Sequence, residues 1–409
     1  MRILHTSDWH LGQNFFTKNR AAEHKAFIQW LLEQVETHAI DAVIVAGDIF
    51  DTGTPASYAR EIYFDFVVKM QTLNCTLVVL GGNHDSASTL NESRSLLAHM
   101  GTYVVAHTRD EPEEQLVTLR NSDGTPGAIL CAIPYIRPRD VMRSTANDSS
   151  DDKQQRLGEA IRDHYQQLYA LADAQRQALD TQVPIIMTGH LTVIGASCSD
   201  SVRDIYIGTL DALSHAAFPD ADYIALGHIH RAQKVGSTEH IRYSGSPIPL
   251  SFDELGSTKS VNIVKFNASG PASIKALEIP SFQPMRVIRG DLHAIEQQLN
   301  DLAKHDLQQT HWLCIEVDTH DYLTDLQTRI ETLTADMNVD VLQLRRAKSQ
   351  RQKQIERQEK ETLAEITPAD VFERRLEQES FDDERDKAQR ERIRLCFNDI
   401  VSDLEEQRP

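Results

Sequence analysis

Residues 76–85 read TLVVLGGNHD: a run of branched apolar residues, two glycines, then an amide, an imidazole and a carboxylate. A strand buried on both faces of a parallel sheet shows a nearly continuous apolar run rather than alternation. The segment therefore predicts a buried strand that delivers polar groups to a sheet edge. The same order, apolar run, glycine and metal-type ligand, recurs in VIVAGD (43–48), IIMTGH (185–190) and IALGH (224–228).

Upstream, Arg2–Thr6 predicts a short strand followed by Ser7, Asp8, Trp9 and His10. In extended backbone Asp8 and His10 face the same side, about 6.6 Å apart, and converge on one ion. Ala21–Thr37 has helical spacing through Phe27, Trp30, Leu31 and Val35; Ala42–Ala46 is a strand ending at Gly47 and Asp48; Ala56–Gln71 is a second helix. This β-α-β-α-β order builds a parallel sheet with helices on its faces. Downstream, the pattern predicts a helix over Ser88–His99 and strands at Tyr103–Ala106 and Ala128–Ile133, separated by the polar RDEPEEQ and a turn at Asp123-Gly124. Ser144–Lys153 has loop composition, and Gln154–Leu179 reads as a long helix. Strands at Pro184–Thr188 and Tyr223–Leu226 follow, and Ile241–Tyr243, Val261–Phe266 and Ser273–Glu278 are expected to complete a second sheet. The expected fold class is α/β, with two packed mixed sheets flanked by helices in one domain over 1–280. After Pro280 a fresh β-α-β-α-β unit marks a small domain over 281–346.

From 347 to 409 the chain turns charged and helical. Thr367 and Pro368 start a helix, with Ile366 placed to staple against Val371. Ile393, Cys396, Phe397, Ile400, Val401 and Leu404 form an apolar stripe, which either packs on its neighbours or docks onto another protein.

The formal charge of −19 over 409 residues argues against a chain that coats nucleic acid nonspecifically, because phosphate neutralisation needs clustered Lys and Arg. Five scattered cysteines without a CxxC pair read as reduced residues of an intracellular protein. The chain enters a strand at MRILHTSD with no leader pattern, and no apolar run approaches the roughly 20 residues of a membrane span. A cytoplasmic location is the expectation.

Asp8, His10, Asp48, Asn83, His84, His190, His228 and His230 all follow predicted strands, and function in open α/β sheets collects outside the carboxyl ends of strands. Carboxylates, imidazoles and an amide without thiolates suit Mn²⁺, Mg²⁺ or Fe²⁺ and, at the softer end, Zn²⁺. That is too many ligands for one ion and suits a pair about 3.5–4 Å apart, a recurrent device for displacement at phosphorus. A single histidine after glycine is more often structural, and an aspartate after a strand more often caps a turn. Five such signals in one chain are hard to attribute to chance.

D-x-H, G-D, G-N-H-D, G-H and G-H-x-H in this order resemble the calcineurin-like metallophosphoesterase superfamily. HTSDWHLG (5–12), GDIFD (47–51), DYIALGHIHRAQ (222–233) and YSGSPIPLSF (243–252) resemble its bacterial branch of Mre-type DNA repair nucleases. The likeness covers the first 280 residues, and the small domain occupies the place of that family's capping domain. The resemblance implies a four-layer fold in which Asp8, His10 and His230 bind one ion, Asn83, His190 and His228 the other, and Asp48 bridges them. Mn²⁺ is the foremost candidate. His84 would protonate the departing oxygen. Asp51 stands where archaeal and eukaryotic Mre-type nucleases carry a histidine and the superfamily's protein phosphatases carry an aspartate that orients the catalytic histidine. The arginine of those phosphatases is absent, since the chain continues Thr52-Gly53.

The resemblance further implies a metal-dependent DNA phosphodiesterase, exonuclease on duplex ends and endonuclease on single strands or hairpins, serving recombination, replication and repair near the nucleoid. It implies a heterotetramer of two such chains with an SbcC-type coiled-coil ATPase bound through the C-terminal helices. Arg137, Arg139 and Arg203 are candidate phosphate contacts, and LRRAKSQRQK (344–353) could touch DNA backbone or serve as a solvated linker. GSTKS (256–260) lacks the glycines of a phosphate-binding loop, so no nucleotide site is expected in this chain. Two other readings are a nucleotide or small-phosphoester hydrolase of the same superfamily, which needs neither small domain nor tail, and a non-catalytic metal-binding scaffold, against which the completeness of the ligand set argues.

Overall fold

The computed structural model describes residues 1–346 apart from 142–149, 180, 195, 198–211, 268–269, 305–307 and 319–322. The expected tail, with its apolar stripe, and Arg203 lie outside the described residues. The first sheet is built from β1 (Arg2–Thr6), β2 (Ala42–Val45), β3 (Thr76–Leu80) and β4 (Thr102–Val105), mutually parallel, with helices α1 (Ala21–Thr37) and α2 (Ser57–Thr72) in the crossovers. Two short helices, α3 (Ala87–Asn91) and α4 (Arg94–His99), occupy the span expected to form one. The second sheet is built from β5 (Leu116–Arg120), β6 (Pro126–Cys131), β7 (Ile185–His190), β8 (Tyr223–Gly227), β9 (Gln233–Lys234) and β10 (Ile241–Tyr243), with the long α5 (Ser150–Gln177) against it. The helix begins inside the stretch of loop composition.

The strand arrangement departs from expectation in two places. β5 was hidden behind the polar RDEPEEQ and pairs antiparallel with β6. The hairpin β11 (Ser260–Asn267) and β12 (Gly270–Glu278) completes the first sheet rather than the second, because β11 lies antiparallel to β1, with Arg2 opposite Lys265 and Leu4 opposite Ile263. The orders are therefore β12-β11-β1-β2-β3-β4 and β9-β10-β8-β7-β6-β5.

The sheets pack face to face through Ile3, Ile44, Val78 and Leu80 of one and Leu130, Ile186, Tyr223 and Ala225 of the other. α1 and α2 cover the outer face of the first sheet, burying Phe27, Leu31 and Val35 at a spacing of four with Phe66 and Met70. α5 covers the second through Leu157, Ile161, Tyr165 and Leu168. This is the four-layer α/β/β/α arrangement. No helix among the described residues is long and apolar enough to cross a membrane.

After Pro280 come β13 (Met285–Gly290), α6 (Leu292–Ala303), β14 (His311–Val317), α7 (Leu323–Thr334) and β15 (Val339–Arg346), a parallel sheet in the order β13-β14-β15. The Asp291 side chain caps α6 by accepting from the Ala294 N–H at 2.8 Å. A separate core of Ile288, Ile295, Leu299, Leu313, Ile315 and Ile330 fills the unit. The hairpin Asn14–Asn19 joins it to the large domain: Phe15 stacks on Trp312 at 5.7 Å, and Lys18 pairs with Asp340 at 2.7 Å.

Candidate metal centre

The carboxyl ends of β1, β2, β3, β7 and β8 converge where the two sheets meet. Asp8 and His10 leave β1 through left-handed backbone, φ 55° and 45°, rather than in the extended conformation expected of them. Such conformations cost an L-residue roughly 1–2 kcal/mol and persist where surrounding structure over-determines them. Here the Asp8 N–H donates to the Gly47 carbonyl and the His10 N–H to the Asp48 carbonyl, both at 3.0 Å. Between them Trp9 is buried against Phe27 and Phe66 and donates Nε1–H to Thr6 Oγ1 at 3.0 Å. Asp48 and His228 are also left-handed, at φ 51° and 90°.

Glycines allow the strand ends to meet. Gly47 has φ +92°, and a Cβ there would stand 2.2 Å from His190 Nδ1; a Cβ on Gly82 would stand 2.1 Å from Asp48 Oδ1. Any larger residue at these two positions displaces His190 or Asp48.

The donor atoms crowd one another. Asp48 Oδ2 is 3.2 Å from His190 Nε2 and 3.5 Å from His10 Nε2, while Asp48 Oδ1 accepts the His84 N–H at 2.9 Å. Asn83 Oδ1 is 2.9 Å from His190 Nε2 and 3.2 Å from His228 Nδ1. Asp8 accepts the His228 N–H at 2.9 Å and the Ser7 hydroxyl at 2.5 Å. Donor atoms of Asp8, His10 and His230 lie within 4.8 Å of one another, as do those of Asp8, Asp48 and His190, and of His10, Asp48 and His84. Sequence-adjacent and sequence-distant candidates thus share one cluster.

The chemistry of this donor set fits divalent cations. His190 donates Nδ1–H to the Ala46 carbonyl at 2.9 Å, so its Nε2 faces the oxygens of Asp48 and Asn83. Lone pairs cannot face lone pairs without a positive species between them. On side chains alone a proton takes that place: burial opposes charging His190, but Asp48 outweighs it and raises the imidazole above its ordinary value. Burial likewise pushes Asp48 up, but His190, His10 and His84 carry it well below the carboxylate range. Burial, reinforced by His190, holds His228 well below its ordinary value, in the neutral form that binds metals. The buried Nε2 atoms of His10 and His228 have no hydrogen-bond partner, a property that suits metal-binding nitrogens.

His84 Nδ1 lies 2.9 Å from the main-chain carbonyl of Asp51, whereas Asp51 Oδ1 lies 3.2 Å from Nδ1 of His10. The orientation of His84 expected from the Asp51 carboxylate thus has a main-chain source, and that carboxylate also stands behind His10. Asp85 accepts from the N–H groups of Gly82, Ile49 and Phe50 at 2.9–3.1 Å, clasping the ends of β2 and β3. Burial and then Asp48 push it up to about 6.

Tyr135 and Glu254 carry no signal in the sequence reading, whereas Arg137, Arg139 and the basic run do. The Tyr135 ring meets His190 edge-on at 6.5 Å, and its N–H donates to the Gly81 carbonyl at 2.8 Å. Arg137 sits half-buried two residues beyond; Arg139 is exposed, 3.8 Å from Asp140. Arg345, in the basic run, donates Nε–H to Glu316 of β14 at 2.9 Å. Glu254 and Lys259 lie behind His230.

Residues 1–232 match the calcineurin-like phosphoesterase family, and residues 281–380 match the family described as type 5 capsule protein repressor C-terminal domain. The chain is 52% identical over 404 residues to the SbcD subunit of nuclease SbcCD from Escherichia coli (strain K12), covering 99% of this chain and 98% of the relative. It is 32% identical over 296 residues to the same-named protein of Rhodobacter capsulatus, covering 70% and 71%. Against that of Bacillus subtilis it is 30% identical over 290 residues, again covering 70% and 71%.

Proposed function

Because the chain belongs to the calcineurin-like phosphoesterases and, within them, to the SbcD family of nuclease subunits, we propose that its strand-end cluster is a two-ion centre for hydrolysing DNA phosphodiesters. The chain is a metal-dependent phosphodiesterase. The observation that carries the reading is the gathering of donor atoms from five strand ends into overlapping groups within 4.8 Å. Asp8, His10 and His230 would hold one ion, Asn83, His190 and His228 the other, with Asp48 between them and Mn²⁺ the metal. Ions so held neutralise phosphate charge and lower the pKa of water. His84 is the proton donor: Nδ1–H is committed to the Asp51 carbonyl, so the transferable proton resides on Nε2 of the imidazolium.

The activity is exonucleolytic on duplex ends and endonucleolytic on single strands and hairpins, in recombination, replication and repair. The partner is an SbcC-type coiled-coil ATPase, met by the C-terminal stripe from Ile393 to Leu404. Pairing of two chains is supported by apolar exposure at Phe64 (38%) and Val68 (52%), one turn apart on α2, and at Leu96 (64%) on α4. Arg137 lies on the segment that carries Tyr135 to the site and is the foremost phosphate contact. The test is incubation with Mn²⁺ and labelled hairpin DNA, with and without the partner ATPase. Cleavage is expected. Its absence in both cases, alongside rapid hydrolysis of a small phosphodiester, would favour the small-phosphoester reading.

A further inference from the structure

We propose that Glu254 is a positioning residue for His230, held in place by Lys259, and that this buried carboxylate makes the Asp8–His10–His230 side of the centre the tighter of the two ion sites. The inference rests on reading the strand-end cluster as a two-ion centre. Glu254 lies on the 3-10 turn Phe252–Gly256, remote in sequence from every ligand strand. Its Oε1 is 3.2 Å from His230 Nδ1. Its Oε2 accepts from Lys259 Nζ at 2.5 Å, the Leu250 N–H at 3.0 Å and the Ser246 hydroxyl at 3.2 Å. Lys259 Nζ also donates to the His230 carbonyl at 3.1 Å and to Ser246 Oγ at 2.7 Å. Both ends of His230, ring and carbonyl, are therefore gripped by one ion pair.

Glu254 is 2% exposed and Lys259 8% exposed. A buried ion pair is a poor device for stability, since apolar residues of similar volume often serve as well or better. What it supplies is a fixed negative charge behind an imidazole. A carboxylate accepting from one ring nitrogen fixes the tautomer and raises the basicity of the other. With Nδ1–H donated to Glu254, Nε2 is the nitrogen left to act with Asp8 and His10, whose donor atoms lie within 4.8 Å of one of His230. The turn is rigidly seated, because Phe252 is buried edge-on against Phe15 at 5.0 Å.

The ligand histidines are backed unequally. His10 has the Asp51 carboxylate at its Nδ1 and His230 has Glu254, whereas His190 donates to a neutral carbonyl. Two carboxylate-backed rings on one side and a carbonyl-backed ring on the other predict two ions of different affinity. Lys259 belongs to the stretch that superficially resembles a phosphate-binding loop; its ammonium is directed inward to Glu254.

The test is calorimetric titration of the chelator-treated full chain with Mn²⁺, together with the Mn²⁺ paramagnetic resonance spectrum. The wild-type chain should take up two ions of unequal affinity; uptake of fewer than two overturns the two-ion reading itself. Glu254→Gln should weaken the tighter ion about 10- to 100-fold and alter its spectrum, with the second ion within about twofold of wild type. Because that substitution strands the Lys259 charge, Glu254→Gln with Lys259→Met is measured alongside, and the same weakening is expected. Wild-type affinity for both ions in either folded variant would leave Glu254 as a mere counter-ion and overturn the proposal. Independently of any variant, ¹⁵N-histidine resonance of the wild-type chain should show His230 as the Nδ1–H tautomer; an Nε2–H tautomer overturns it.

Discussion

Replacing His84 by alanine separates proton transfer from metal binding, because the residue contributes to the site through two different atoms. Its main-chain N–H holds Asp48 Oδ1 at 2.9 Å, and this bond survives any side-chain change. Its imidazole touches the Asp51 carbonyl at 2.9 Å and stands edge-on to His10 at 4.7 Å between centroids. His84→Ala should therefore leave Asp48, and with it both ions, in place while removing the donor to the departing oxygen. General acid catalysis is typically worth about 10²- to 10⁴-fold, or about 3–5 kcal/mol of barrier at 1.36 kcal/mol per decade. The assay is single-turnover cleavage of labelled hairpin DNA with saturating Mn²⁺, paired with hydrolysis of a p-nitrophenyl phosphodiester. The nitrophenolate leaves without a proton, so the variant should lose about a thousandfold on DNA and less than about tenfold on the activated ester. Equal losses on both substrates, or loss of bound Mn²⁺, would refute the assignment and make His84 a ligand.

Other substitutions read other parts of the design. Gly82→Ala places a methyl 2.1 Å from Asp48 Oδ1 and 2.3 Å from its main-chain nitrogen, so overpacking of about 1–3 kcal/mol should accompany loss of both ions, measured by denaturant unfolding and metal analysis. Burial lowers the pKa of His5 to about 3, against the opposing Leu226 carbonyl, and burial with Arg20 lowers that of His24 to about 3. The unfolded chain binds protons at these rings from about pH 6.5 downward while the folded chain does not, so stability is intact above that pH and falls as pH drops toward 3. Two such groups give a slope of about 2.7 kcal/mol per pH unit in urea titrations with chelator present, and a flat profile between pH 6 and 4 would refute it. Truncation before Ala347 should abolish binding to the partner ATPase in pull-down and leave Mn²⁺-dependent cleavage of short DNA intact; retained binding would remove the role given to the apolar stripe.

Strands are legible wherever local sequence carries them. The apolar runs of β2, β3, β7 and β8 are buried on both faces, which is why they read as strands without alternation, and each is followed by its polar group within a few residues. β5 escaped notice because Leu116–Arg120 alternates at a sheet edge and follows a polar turn. The sequence does not say which sheet the hairpin β11–β12 joins, because pairing partners are a tertiary choice: Val264 and Ile263 would suit either sheet, and the register with Ile3 and Leu4 decides between them. The left-handed turns at Asp8, His10 and Asp48 were illegible for the same reason, since the bonds that hold them run between strand ends.

The same distinction governs the histidine partners. Candidate ligands follow strands and can be read locally, but what stands behind each ring depends on which loop the fold brings near. Asp51 follows Asp48 by three residues and is visible in sequence, although its carboxylate reaches His10 and its carbonyl His84. Glu254 follows no ligand; its 24-residue separation from His230 carries no periodicity. Its one local mark is Lys259 five residues on, a cation two residues before the fully buried Val261. A lone lysine entering a strand that must lie in a sandwich core needs a carboxylate near it, and the nearest acidic residues, Asp253 and Glu254, narrow that carboxylate to two. Geometry then chooses Glu254, because the 3-10 turn directs it to Lys259 while Asp253 meets the Ser251 hydroxyl.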